Sequence, residues 1–192
     1  MLEALSKQIA HLVQMTFSLF LVFIFLTYPA SAARDTDSYD GNIFPIYTGN
    51  GSLVPPATSL SEALDKERTS VIVFYLDDSA TSKSFAPIVS GIKLLWGSTI
   101  DLIPLTTDEI QGNQSNDPKD ESYYWHGNIP QVLVIDGKGK VILDQEGQVA
   151  IEAINDAIVE ATGENRPSFS ISIKTFNEYN SEPSKDGYTD PR

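Results

Sequence analysis

The chain has 192 residues, enough for one globular domain with flanking segments. Its formal net charge is -13, from 26 Asp and Glu against 13 Lys and Arg, and no basic run is visible, which argues against a nucleic-acid partner. It has no cysteine and 2 histidines, which excludes disulfides, cysteine nucleophiles, dithiol redox chemistry and Cys- or His-rich metal sites, and we expect no cofactor.

The chain begins with a segment that is typical of export. Lys7 precedes an almost wholly apolar run at residues 15–28, and Ala30-Ser31-Ala32 follows it as a small-residue cleavage site. Extended to residues 9–33, the segment also approaches the roughly 17–25 residues of a bilayer span, so an uncleaved anchor is the alternative. Both interpretations predict a signal peptide or membrane anchor over 1–33, with the rest of the chain exported.

Residues 34–57 are polar apart from one apolar patch at 43–47, which predicts a linker that docks once. A capping box at Ser59–Glu62 then predicts a short helix that ends near Glu67. The continuous β-branched and aromatic run at 70–76 predicts a central strand buried on both faces.

The next elements alternate between helix and strand. Helical spacing of apolar residues predicts a helix through Trp96 that contains Pro87 and stops at Gly97. A strand over 100–105 follows, then a polar surface loop over 106–121 and a hairpin whose strands cover residues 131–136 and 141–144.

The end of the chain carries a last helix and a polar extension. Ile151, Ile154 and Ile158 predict a helix over 148–161, capped by Gly163. Residues 168–176 alternate, which predicts an edge strand or a partner-binding strand, and 177–192 are polar and predicted disordered. We therefore place the folded domain at 58–163 and a partly disordered C-terminal extension at 164–192.

This order of elements resembles the thioredoxin fold, an α/β three-layer sandwich around a central mixed sheet. In that family a buried strand runs into a Cys-x-x-Cys loop and then a helix with an Ala-Pro kink, which Ala86-Pro87 matches here. That alignment places Ser79 and Ser82 at the two cysteine positions, with Ala80 and Thr81 between them. Ile129-Pro130 matches the Ile-cis-Pro of the family, which a folded protein holds at little cost.

The departures from the thioredoxin pattern agree with one another. The acidic residue that many thioredoxins bury below the cysteines aligns with Val73, and the tryptophan before the first cysteine aligns with Asp78. A serine hydroxyl lacks the low pKa and the two-electron chemistry of a thiol, so thiol–disulfide exchange is excluded. The resemblance thus implies a scaffold that binds partners without redox catalysis.

The candidate site is the loop that replaces the Cys-x-x-Cys motif, together with the Ile-Pro turn. The resemblance implies that an extended client peptide binds there, and the alternative is a solvated turn whose aspartates cap the next helix. An aromatic cluster before the turn, Tyr123 to His126, is either a hot spot for binding or ordinary packing. The predicted client-binding residues are Asp77, Asp78, Lys83, Trp125, His126, Ile129 and Pro130.

The layout as a whole is similar to a group of cyanobacterial thylakoid membrane photosystem I accumulation factors. That resemblance implies a non-enzymatic protein at the thylakoid membrane or in the lumen, whose clients are photosystem I subunits or assembly factors. The alternative is an exported or periplasmic redox-pathway accessory, or a binding module with another client. The N-terminal segment would contact the membrane if it is not cleaved.

Two further chemistries have the right residue types but the wrong pattern. A cofactor-free hydrolase could use Ser79 or Ser82 with His126, yet the chain has no G-x-S-x-G elbow. The acidic residues of the 106–121 loop lack the spacing of a calcium loop. They are Asp108, Glu109, Asp117, Asp120 and Glu121.

Overall fold

The computed structural model describes residues 11, 13–18, 34–108 and 110–167. The chain divides into two compact units, Met1–Ala32 and Ala33–Arg192. In the first unit, residues 13–18 are helical and their side chains are exposed. No helix within the described residues is long and apolar enough to cross a membrane. Most of the predicted signal or anchor segment lies outside them.

The second unit is built on a mixed four-stranded sheet. Its strands are β1 (Ser70–Tyr75), β2 (Asp101–Thr106), β3 (Gln131–Ile135) and β4 (Val141–Glu146), in the order β2-β1-β3-β4. β1 pairs parallel to β2 and antiparallel to β3, and β3 pairs antiparallel to β4. The predicted strands thus lie within one or two residues of the observed bounds.

Within the described part of this unit, four helices accompany the sheet: α1 (Ile43–Thr48), α2 (Leu60–Asp65), α3 (Ala80–Trp96) and α4 (Ile151–Thr162). Short 3-10 turns occupy Gly51–Leu53 and Glu121–Tyr124. The helix caps that the sequence predicts are present in the structure. The Ser59 side chain accepts from the amide of Glu62 at the start of α2, Gly97 follows α3, and Gly163 ends α4 with a left-handed φ of 71°.

Each face of the sheet buries a separate apolar core, because successive side chains of a strand point to opposite faces. Val71, Val73 and Tyr75 belong to the first core, with residues of α1, α3 and α4. Ile72 and Phe74 belong to the second core, with Leu60 of α2 and the aromatic residues 124 and 125. The layers, strand order and strand directions are those of the thioredoxin-like fold that the sequence predicts.

The segment over 34–57 differs from the predicted linker. Asn42 caps α1 by accepting from the amide of Phe44, and Gly49 ends the helix with a φ of 67°. This single amphipathic helix buries Ile43 and Phe44, and the following turn buries Leu53, all within the first core. The correction is that residues 43–53 belong to the folded domain, which therefore begins before residue 58. The predicted strand at 168–176 lies outside the described residues.

Candidate functional site

The two serines at the cysteine positions hold the start of α3. Ser79 is the N-cap residue, and its Oγ accepts from the amide of Ser82 at 3.4 Å and lies 2.8 Å from Thr81 Oγ1. Ser82 is 1% exposed, and its Oγ accepts from the amide of Leu76 at 3.2 Å. Both hydroxyls therefore satisfy backbone donors at the junction of β1 and α3.

The two aspartates before these serines differ in environment. Asp77 is half-buried and accepts from the amide of Ile43 at 2.9 Å, so it ties α1 to the end of β1. Burial raises the pKa of the Asp77 carboxyl, and the nearby charges of Asp108 and Asp78 add to the rise, while the bond from Ile43 opposes it. Asp78 itself is exposed. Of the two, Asp78 is the one that a partner can reach.

Lys83, predicted to bind clients, is completely buried. Its Nζ lies 2.7 Å from the Asp40 carboxylate, and it donates to the carbonyls of Thr36 at 3.0 Å and Ser38 at 2.5 Å. Tyr47 donates its hydroxyl to the same Asp40 carboxylate at 2.7 Å. The correction is that Lys83 anchors an upstream segment of its own chain, since a buried ammonium requires such partners.

This upstream segment, residues 34–43, is called the N-terminal strap below. Besides Lys83, it contacts the first turn of α3, where Asp37 accepts from the amide of Ala80 at 2.8 Å. Arg34 donates to the carbonyl of Ser84 at 3.3 Å. The N-terminal strap, a segment of the same chain, thus covers part of the loop at the Cys-x-x-Cys position. Sequence reasoning missed these partners because nothing in the spacing of Asp37 and Asp40 indicates a contact with residues some 43 positions later.

The Ile-Pro turn has the geometry that the resemblance implies, but little of it is accessible. The Ile129-Pro130 peptide bond is cis. Pro130 is buried, and its carbonyl accepts from the amide of Gly147 at 2.7 Å. Ile129 is half-buried against the second core. Val73, at the position of the missing acid, is fully buried in the first core.

The aromatic cluster is mostly packing. The Trp125 side chain lies 5.3 Å from the Phe74 ring, centroid to centroid, and Trp125 is 7% exposed. Tyr124 is 9% exposed and donates its hydroxyl to the Pro118 carbonyl at 2.9 Å. Tyr123 is 48% exposed. The packing alternative therefore describes Tyr124 and Trp125, whereas Tyr123 is left at the surface.

His126 is the most accessible of the predicted residues around the Ile-Pro turn. Its side chain is 49% exposed and lies between two carboxylates of β4, with Nε2 3.4 Å from Asp144 and Nδ1 3.7 Å from Glu146. Its amide donates to Gln131 Oε1 at 3.1 Å. The backbone is thus fixed to β3 while the ring faces both solvent and an acidic strand end.

An open groove of about 610 Å3 borders Trp125 and His126. Gln114 fixes one wall, because its side-chain amide donates to the carbonyl of Trp125. Among the described residues, the lining includes no Lys, Arg, Asp or Glu; it consists of Gln111, Gly112, Gln114, Trp125, His126 and Gly127. The sequence analysis did not predict Gln111 or Gln114 as site residues. Both lie in a polar loop, and no sequence pattern there indicates that the loop lines a groove.

The groove and the α3 loop lie at the same end of the sheet. Gln148, just after β4, donates its side-chain amide to the carbonyl of Thr81 at 2.7 Å. Asn128 donates to Glu146, at the end of β4, at 2.8 Å. Asp78, Thr81 and His126 are the exposed members of the predicted set. The structure brings them to one end but leaves only His126 on the groove.

The two alternative chemistries find no supporting geometry in the described residues. No cluster of three His, Asp or Glu side chains there could hold a metal ion. Asp117 and Asp120 accept from nearby amides of their own loop, and Glu121 accepts from the amide of Leu60, whereas Glu109 lies outside the described part. The hydrogen bonds of Ser79 and Ser82 go to α3 and β1, away from any contact with the His126 ring.

Two solved structures of known proteins are similar to this chain. The exposed lipoprotein thioredoxin Etrx1 of Streptococcus pneumoniae strain TIGR4 superposes with a TM-score of 0.42 and 20% identity, covering 53% of this chain and 89% of that one. A yeast mitochondrial 1-Cys peroxiredoxin superposes with a TM-score of 0.39 and 18% identity, covering 52% of this chain and 85% of that one. No family model matches the sequence.

A protein from Synechocystis sp. strain PCC 6803, named thylakoid membrane protein slr1796, is 36% identical over 181 residues. The aligned region covers 89% of this chain and 90% of the relative, so it includes the whole folded domain rather than an isolated motif. The chain therefore belongs to the family of thylakoid membrane protein slr1796.

Proposed function

We propose that this protein is a non-catalytic, thioredoxin-like binding protein of the thylakoid membrane or lumen. It supports the accumulation or assembly of photosystem I by binding client proteins, namely photosystem I subunits or their assembly factors. The observation that carries the proposal is the relationship to a thylakoid membrane protein along nearly the entire length of both chains.

The chemistry of the α3 loop supports a role in binding rather than catalysis. The full sequence contains no cysteine, so no thiolate can attack a disulfide. Ser79 and Ser82 are engaged in capping and in the β1–α3 junction. Lys83 holds the N-terminal strap, so this residue next to the position that aligns with the Cys-x-x-Cys motif acts within the fold.

The surface that we assign to the client is the groove beside His126. It is open and polar, and the buried Trp125 forms part of its lining. Rigid aromatic side chains next to accessible polar groups are common in protein-binding surfaces. All of its lining residues except Trp125 are exposed. We assign the contact to the side chains of His126 and Gln111, because the side-chain amide of Gln114 already donates to the Trp125 carbonyl.

A deletion strain tests the physiological role. We expect low-temperature chlorophyll fluorescence to show a selective fall in photosystem I relative to photosystem II, restored by a complementing copy. An unchanged ratio would remove the photosystem I role and leave a binding module with another client. A fall in both photosystems together would also contradict the proposal, because it would indicate a general membrane defect.

A further inference from the structure

Acidic residues at the two ends of the sheet differ in their partners. At the end where β1 and β2 begin, Asp101 pairs with Arg68 at 2.9 Å. At the end where β4 finishes, Asp144 and Glu146 pair with no Lys or Arg of the described residues. The basic side chain beside them is His126, which carries a charge only when it is protonated.

Neighbouring amides hold these two carboxylates in place. One oxygen of Asp144 accepts from the side-chain amide of Gln131 at 2.9 Å, and Gln131 is completely buried. One oxygen of Glu146 accepts from the side-chain amide of Asn128 at 2.8 Å. The second oxygens face the His126 ring at 3.4 Å and 3.7 Å, beyond the usual length of a hydrogen bond. Each carboxylate therefore keeps one oxygen for a cation from outside.

The two carboxylates lie on the face of β4 that is next to the groove. Residues i and i+2 of a strand point to the same face, about 7 Å apart. Asp144 lies opposite Leu133, which belongs to the second core together with Trp125. Trp125 and His126 line the groove, and the side chains of Asp144 and Glu146 are 24% and 36% exposed. A cationic side chain that enters from the groove can therefore reach both carboxylates.

The surrounding charges also favour a cation. β1, β2 and β4 run in the same direction, so their carboxyl ends lie at one end of the sheet. There the exposed Asp78 follows β1 and the exposed Asp108 follows β2, whereas Lys83 is buried and held by Asp40. The whole chain carries a net charge of -13, which repels a second copy. The charge at this end is thus complementary to a basic partner.

We propose that the groove binds the client through a lysine or arginine side chain, whose cation lies between Asp144 and Glu146 beside the His126 ring. This inference rests on the proposed assignment of the groove to the client. It specifies the chemistry of the client, which presents a basic protein segment to the groove. The uncharged lining takes the neighbouring residues of that segment.

Peptide binding to the full-length protein tests this assignment without reference to photosystem I. The probe is a synthetic peptide that alternates lysine with serine, and the reference peptide alternates glutamate with serine. At about pH 8 a histidine ring is mostly neutral, so it does not compete for the carboxylates. The backbone amide chemical shifts of Gln111, His126, Asp144 and Glu146 should change with the lysine peptide and stay constant with the glutamate peptide.

Asp144→Asn with Glu146→Gln is the test variant, because the new side-chain amides keep the acceptor oxygens that the fold uses. The dissociation constant of the lysine peptide should rise roughly three- to tenfold, as expected for the loss of two partly exposed ion pairs. The matched control is Glu67→Gln with Glu164→Gln, which removes two exposed carboxylates that precede β1 and follow α4. This control should leave the dissociation constant unchanged.

Four results would overturn the proposal. Equal weakening by the test and control variants would show that the peptide responds only to net charge. Equal binding of the lysine and glutamate peptides would exclude a cation site. Tighter lysine-peptide binding after Lys174→Gln with Lys185→Gln would assign the carboxylates to the C-terminal residues of the same chain. Peptide binding that weakens as the protein concentration increases would assign them to a second copy.

The peptide experiment and the deletion strain fail independently. If the lysine peptide binds at the two carboxylates but the strain keeps its photosystem ratio, the cation site stands and the photosystem I role fails. If the strain loses photosystem I but the test variant binds the lysine peptide as tightly as the native chain does, the role stands and the cation site is wrong.

Discussion

The α3 loop and the groove beside His126 lie at the same end of the sheet. The sequence predicts the loop as client-binding, whereas of the groove it predicts only Trp125 and His126. In the α3 loop, Ser82 and Lys83 are buried and the N-terminal strap covers the first turn of the helix. In the groove, by contrast, the ring of His126 is half exposed and the neighbouring wall is open. Contacts within the fold thus occupy the loop that aligns with the Cys-x-x-Cys position, while the adjacent groove stays open.

The largest expected effect tests whether the segment after the strap belongs to the domain. Phe44 is fully buried and packs edge-on against Tyr75 at 5.0 Å. Phe44→Ala should lower the free energy of unfolding by about 3–5 kcal/mol, as for other large core truncations. Ile46 lies on the same helix but is 41% exposed, so Ile46→Ala is the control and should have a much smaller effect in the same denaturation experiment. Equal, small losses would restore the linker interpretation.

The next prediction concerns the buried anchor of the strap. Lys83→Met removes the donor to Thr36 and Ser38 and the partner of Asp40, so the strap should detach more often. Limited proteolysis at the aspartates of residues 35–40 should become several-fold faster. Lys138 is an exposed turn lysine, and Lys138→Met should leave cleavage unchanged. Unchanged cleavage in Lys83→Met would show that the strap is held by other contacts.

Two carboxylates that hold the N-terminal strap and α1 should respond to pH in opposite ways. The hydrogen bonds from Lys83 and Tyr47 lower the pKa of Asp40 below its ordinary value of 3.8, against the opposing effect of burial. Its stabilising contribution is therefore present above that value and is lost as the pH falls through the lower folded pKa. Burial raises the pKa of Asp77, so ionised Asp77 reduces stability as the pH rises above 3.8.

Thermal unfolding of Asp40→Asn and Asp77→Asn between pH 3 and pH 7 measures this contrast. Asp40→Asn should lower the Tm at pH 7 and weaken its rise with pH. Asp77→Asn should keep or raise the Tm at pH 7, because asparagine still accepts from the amide of Ile43 without carrying a buried charge. The same loss of Tm in both variants would contradict the opposite pKa shifts.

The smallest effects are expected at the two serines. Ser82→Ala leaves the amide of Leu76 without its acceptor and should cost about 1–3 kcal/mol of unfolding free energy. Ser79→Ala removes the N-cap of α3 and should cost about 1 kcal/mol. Chemical denaturation of each variant measures its loss of unfolding free energy. If either variant lowered the photosystem I to photosystem II ratio while the protein remained folded at its normal level, the serine hydroxyls would have a direct role in function.

The fold was predictable from the sequence because its signals are local. The Ser59 capping box, the glycines that follow α3 and α4, and the apolar run of β1 each determine an element without distant information. The strap was not predictable, because its stability depends on contacts between Asp40 and Lys83, which lie 43 residues apart. The groove was missed for the same reason, as Gln114 forms its wall only once the loop has folded against Trp125.

We propose that the groove, and not the covered loop, binds the clients through which the protein supports photosystem I accumulation. The most direct measurement is the photosystem I to photosystem II ratio in the deletion strain complemented with two matched double variants of exposed residues. We predict that His126→Ala with Gln111→Ala fails to restore the ratio, whereas Asp78→Ala with Thr81→Ala restores it, at equal protein levels. Full restoration by the groove variant, or failure of the loop variant alone, would contradict the assignment of client binding to the groove.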